Sequence, residues 1–191
     1  MVDKVLNENE TIVAVPVLDI NGTPYLVSST GVIPFTTGPT VAMLNYWQAI
    51  RNTSGAVTQG GNISRAIRDD LSLGLTDSDT DDDRDINTAG SSLDLTTRNY
   101  EAELTGFRDI VITDAGVYNL FRDLFRAPDA LYALFHRTGY AENAVFATGQ
   151  EVWGYLVATD NPVPGYKDGG NQTVGQNFIS KNQVLPAFVL A

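Results

Sequence analysis

The chain has no cysteine and only one histidine, His136. Without thiols there is no disulfide scaffold, thiolate zinc site or cysteine nucleophile, and a single imidazole excludes metal centres that need two. Positive charge is scarce: 12 Lys and Arg stand against 23 Asp and Glu, for a formal net charge of -11. A basic, phosphate-gripping footprint is therefore missing, which argues against a protein that reads DNA. Long apolar runs are missing too. The best, Thr11 to Ile20, is broken by Pro16 and Asp19 and is too short for a bilayer, while the start, Met1 to Glu10, is polar. We expect no membrane anchor and cytoplasmic synthesis.

What is present suffices for one folded unit. The 191 residues are 43% hydrophobic, enough to bury a core without a staple. We expect a single domain over residues 1–191 with long polar arms near 36–62 and 76–98. The acid is concentrated: eight aspartates and one Arg between Asp69 and Asp85 carry -7 of the -11 net charge. Its centre holds Asp77, Asp79, Asp81, Asp82, Asp83 and Asp85 and offers nothing apolar to bury, so it reads as a solvated loop or one ordered against a partner. Arg51, Arg65 or Arg98 of a neighbouring copy are candidate counter-charges. The spacing of Asp77, Asp79 and Asp81 imitates a calcium loop, but Asp82 and Thr88 occupy the places where that loop needs Gly and Glu. No metal site is assigned, and divalent binding by the run stays open.

Periodicity elsewhere favours strands. Thr11 to Ile20 is β-branched, and Asn21-Gly22 signals a hairpin into Tyr25 to Ser29. Ile63, Ile67, Leu71, Leu73 and Leu75 oppose Asn62, Ser64, Arg68, Asp70 and Ser72 across one alternating stretch. Tyr100, Ala102 and Leu104 alternate with Glu101, Glu103 and Thr105, as in a strand with one dry and one wet face. Asp109 to Thr113, Leu131 to Arg137, Glu151 to Thr159 and Asn177 to Leu190 are further strands, with Pro186 marking an edge. One helix is expected after Asp114 as N-cap, with a core stripe of Val117, Leu120, Phe121, Leu124 and Phe125, ending before Pro128. A weaker helix is expected from Val41 to Ile50, between long connections. The fold class is thus mainly β with one flanking helix (α+β).

Catalytic chemistry finds no support. His136 lies in a strand-like segment with no Gly-x-Ser-x-Gly elbow, and the spacing of Glu101 and Glu103 is that of a wet sheet face. Gly60-Gly61-Asn62 and Gly169-Gly170-Asn171 read as turns, not phosphate cradles. No enzyme activity and no cofactor are assigned. A monomeric β-sandwich ligand-binding module stays open as a second reading, with Trp47, Trp153 and Tyr155 as platforms.

Several strings, in order, resemble the major tail tube proteins of long-tailed (siphovirus-type) bacteriophages, especially those of actinobacteria. They are the aspartate-rich Leu75 to Gly90, then Arg98 to Asp109, then Val117-Tyr-Asn-Leu-Phe-Arg-Asp-Leu-Phe-Arg-Ala-Pro-Asp129 with Phe135 to Gly139. Ala158 to Val163 and Gly175 to Ser180 complete the set, which spans roughly residues 69 to 185. The resemblance implies a β-sandwich or barrel whose copies close hexameric rings. Stacked rings would form a hollow conduit for DNA delivery within the virion. It also implies tape measure, tail terminator and baseplate proteins as partners, with only transient, non-specific passage of DNA. Many relatives carry an additional carboxyl-terminal immunoglobulin-like domain, which is not expected here. Within that frame Glu101 and Glu103 are expected to line the lumen, and the aspartate run to be an inter-subunit loop.

Overall fold

The computed structural model describes residues 9–50, 59–68, 71–77, 79–83, 92–97, 99–111, 113, 116–165 and 172–191, with the backbone alone for 79–83 and 92–97. Its strands are β1 (Glu10–Ile20), β2 (Thr23–Ser28), β3 (Gly31–Pro34), β4 (Gly61–Asn62), β5 (Ser72–Leu75), β6 (Asp79–Asp83), β7 (Ser92–Thr97), β8 (Tyr100–Phe107), β9 (Leu131–Thr138), β10 (Glu151–Thr159), β11 (Val163–Gly165) and β12 (Thr173–Val189). Helices α1 (Val41–Ala49) and α2 (Val117–Leu124) complete it. The main antiparallel sheet runs β3-β2-β1-β9-β10-β12-β8-β5, with β4 beside β1 and β11 beside β12. β6 and β7 pair as a separate two-stranded sheet.

Its three central strands are apolar on both faces, because each face is covered. Ile12, Ala14, Tyr132, Leu134, Tyr155 and Val157 turn to one core. Val13, Val15, Ala133, Phe135, Val152 and Leu156 turn to the other. α2 closes the first with Leu120, Phe121 and Leu124, joined by Phe125 just past its end. α1 closes the second with Met43, Leu44 and Trp47. The weaker helix expected from Val41 is thus present beside the expected flanking helix, one on each face. α1 lacks a clean apolar stripe because its polar Asn45 and Gln48 also point inward, bonding the carbonyls of Phe146, Glu142 and Ala144. The flank before it is ordered, with Phe35 buried and Thr40 capping the helix by accepting from Met43 N at 3.2 Å.

β12 makes the fold close on itself. Its first residues, Thr173–Asn177, pair with β8, and Phe178–Val189 pair with β10. This long strand folds β8 and β5 over the first core, where Tyr100, Ala102 and Leu104 meet Leu134 and Tyr155. The Tyr100 hydroxyl locks the corner by donating to the Leu156 carbonyl and accepting from Lys181 N at 3.0 Å. Pro186 sits in the register break between Val152↔Phe188 and Gly154↔Leu185, where its missing N–H costs no ladder bond.

The Asn21-Gly22 hairpin forms as expected, both residues at positive φ (55° and 79°), as a type I′ turn requires. Three sequence expectations are corrected. The stretch from Asn62 to Leu75 is not one strand: it breaks into β4, a 3-10 turn over Ser64–Ala66, a bridge at Ile67 and β5. Asn62 is buried, since its side chain bonds Ser64 and the Glu142 carbonyl, and Leu75 is exposed. Described residues of Asp109–Thr113 form a bend at Ile110 and Val111 and a turn at Thr113 instead of a strand, with Ile110 exposed at 87%. Finally, α2 starts at Val117 behind Gly116, without a side-chain cap, and Asp114 lies outside the described residues.

Candidate assembly surfaces

β8 realises the predicted two-faced strand. Tyr100, Ala102 and Leu104 are buried while Glu101 and Glu103 are exposed. Alternation forces this: with Leu104 in the core, both glutamates must leave by the opposite face. The cross-strand neighbours on that side are polar or small. Ser72 and Asn177 flank Glu103, Gly74 sits opposite Glu101, and Ser72 Oγ donates to Glu101 Oε2 at 3.0 Å. No cation pairs with either glutamate among the described residues, so the face is an open patch of negative charge.

A second surface is the meander at the other end of the sheet. β1 pairs with β9 only from Glu10 to Pro16, then continues with β2 from Val17 to Ile20. Register sets Leu18 opposite Tyr25, Tyr25 opposite Pro34, and Val27 opposite Val32 on one face. Leu18, Ile20 and Val32 are exposed there. Apolar side chains in a row on a ribbon whose last strand, β3, ends the sheet are a liability in a monomer and an asset in an assembly. β12 offers a further edge from Ile179 to Val189, where pairing among the described residues is to β10 alone.

The third surface rests on a loop pinned from three sides. Arg137, buried in β9, donates through Nη2 to Thr11 Oγ1 (3.1 Å) and Ala144 O (2.7 Å). Its Nη1 reaches Val145 O (3.2 Å) and Gln150 Oε1 (3.0 Å), and its guanidinium lies 4.0 Å over the Phe146 ring. Asn45, Gln48 and Asn62 bind the same loop. Val145 is thereby held out at 70% exposure on a fixed frame. Sequence reasoning missed this arginine because its partners are backbone carbonyls and the neutral side chains of Thr11 and Gln150, which no motif records.

The remaining candidates are placed as follows. Val117, Leu120, Phe121, Leu124 and Phe125 come together as core, with Val117 partly buried. Asp79, Asp81, Asp82 and Asp83 lie in or along β6, a strand rather than the expected loop, because β7 supplies its backbone partners. Asp77 precedes it, its carbonyl accepting from Asn99 Nδ2 at 3.3 Å, and Asp85 lies outside the described residues. Of the candidate counter-charges, Arg65 faces Glu142 of its own chain at 3.9 Å, and Arg51 and Arg98 lie outside the described residues. The aromatic platform does not exist: Trp47 and Tyr155 are core residues, Trp47 donating to the Val27 carbonyl at 2.7 Å. His136 is mostly buried, its Nε2 3.5 Å from Glu10 Oε2. Among the described residues no cluster of acidic and histidine side chains is placed to hold a metal ion, and no helix is long and apolar enough to cross a membrane.

No curated protein matches the chain. A family profile described as phage tail tube protein matches residues 23–191, which takes in the meander from β2 onward, both helices, β8 and β12. Such proteins are structural components of the virion tail, in keeping with a surface built of sheet edges and charged faces. The chain belongs to the phage tail tube protein family.

Proposed function

We propose that this chain is the repeating wall subunit of a long-tailed phage tail, six copies closing a ring and rings stacking into a conduit for DNA. The observation that carries the reading is the open antiparallel sheet, with edges at β3 and along the second half of β12 that are unpaired among the described residues, and an apolar row on the ribbon between β1 and β3. A ring whose subunits pair edge to edge consumes both features at once. The Glu101–Glu103 face lines the lumen in this arrangement. Sixfold repetition makes a negative collar, and DNA, with one charge per about 1.7 Å of duplex, slides past it without sticking. The aspartate run from Asp77 to Asp85 contacts a neighbouring copy. The tape measure protein fills the lumen during assembly, the terminator and baseplate close the ends, and synthesis takes place in the host cytoplasm.

Negative-stain microscopy of the purified full chain, with light scattering across concentration, tests the reading. Rings or tubes are expected. A strict monomer near 20.7 kDa at high concentration would overturn it.

A further inference from the structure

The few cations of this acidic chain are gathered. Three of its nine arginines, Arg108, Arg122 and Arg126, line one cavity of about 360 Å3 with Pro162, Pro164 and Val174. Guanidinium groups around a shared space repel one another unless an anion enters. Asp123 supplies one such group: its Oδ1 accepts from Arg122 Nε at 2.9 Å and Nη2 at 2.7 Å. Arg108 Nε is buried without a hydrogen-bond partner, and buried donors are normally satisfied. Arg126, exposed at the rim, makes no ion pair among the described residues.

The complementary charge is on the same chain but at the wrong end of it. β6 holds four aspartates in five residues, Asp79, Asp81, Asp82 and Asp83, in a two-stranded sheet separate from the main one. A two-stranded ribbon alone in water is marginal, and a crowd of carboxylates makes it more so. The ribbon is rooted where β8 begins: Leu75 pairs with Tyr100, and Thr76 N donates to Asn99 O at 3.0 Å. Arg108 follows Phe107, where β8 ends. At about 3.4 Å per residue, eight residues separate root and cavity by roughly 25 Å.

We propose that the aspartate ribbon of one subunit docks by its carboxylates into the Arg108–Arg126 cavity of the next subunit along the tube. This deepens the tube reading and rests on it, and it replaces Arg51, Arg65 and Arg98 as the counter-charges. Ribbon and cavity lie at opposite ends of β8, so the contact is head to tail. A heterologous contact of that kind propagates without closing, as ring stacking requires. Arg122, already held by Asp123, orients the rim, while Arg108 and Arg126 take the incoming carboxylates.

Two measurements test this. First, full-length Arg126→Glu and Arg108→Gln/Arg126→Glu are compared with wild type for tube length by negative stain and sedimentation. A loss of stacked tubes of tenfold or more is expected, with the wild-type circular dichroism spectrum retained and stacking restored by adding Asp81→Arg/Asp82→Arg. Variants that stack like wild type, or a loss that the charge swap does not restore, would overturn the docking. Second, a synthetic peptide of residues 76–86 is titrated onto the full chain. Binding that weakens with salt and falls at least tenfold in Arg126→Glu, whose exposed position spares the fold, is expected. Equal binding by the variant, or tighter binding of a duplex oligonucleotide than of the peptide, would overturn it. If the wild-type chain forms no rings at all, the tube reading fails while the titration still decides the cavity's ligand.

Discussion

Phe121 and Arg137 show how single side chains hold the two faces of the sheet. Phe121 is fully buried, its ring 5.2 Å from that of Phe125 in an edge-on contact. Phe121→Ala should lower stability by about 3–5 kcal/mol, read as a shift in denaturant midpoint, because the rigid sheet beneath cannot collapse into the space. Arg137→Met should cost about 3 kcal/mol by leaving the carbonyls of Ala144 and Val145 without donors. Arg137→Lys should recover only part of it, since one ammonium cannot reproduce the fork. His136 gives a pH signature. Burial pushes its imidazole below the ordinary 6.5, against a weaker upward pull from the Glu10 carboxylate 3.5 Å away. The unfolded chain thus takes up the proton first as pH falls. The contribution is whole above about 6.5 and is lost as pH drops through the depressed folded value. Between pH 7 and pH 5 the melting temperature of wild type should fall further than that of His136→Gln; equal slopes would remove His136 from the account.

At the scale of elements, close approach between α2 and β8 is set by Gly106, where a Cβ would run into the Phe121 ring. Gly106→Ala should destabilise by about 1–3 kcal/mol through overpacking, and calorimetry of the purified variant checks it. Elements whose environment is uniform were legible from residue order. β8 alternates because one face is dry, and the middles of β1, β9 and β10 are apolar because both faces are covered there. The core stripe of α2 was legible for the same reason. Elsewhere the partner, not the segment, decides. α1 buries Gln48, whose amide serves a loop nearly a hundred residues away, so its pattern carries no clean period. The stretch before β5 breaks because Asn62 and Ser64 bond each other and the β1 backbone instead of continuing a ladder. The aspartates of β6 lie on a strand only because β7 returns beside them. The arginine cavity was illegible for a related reason: its residues come from four segments that only the fold brings together.

On the scale of the whole molecule, the candidate sites among the described residues are surfaces: sheet edges, an apolar ribbon and an acidic strand face. Acid outweighs base 23 to 12, and under the proposed tube reading the Glu101–Glu103 face is the part with a mechanical consequence. Glu101→Lys/Glu103→Lys should assemble normally, since both positions are exposed, yet slow DNA ejection from phage particles at low salt. Raised salt should relieve the delay, because screening weakens the new attraction to phosphate. The most direct measurement is a helical cryo-electron microscopy reconstruction of the assembled tube. We expect six subunits per ring, with the carboxylates of Glu101 and Glu103 facing the lumen and the β1–β3 meander buried against a neighbour. A wall with the Glu101–Glu103 face turned to the outside, or with that meander free in solvent, would contradict the account.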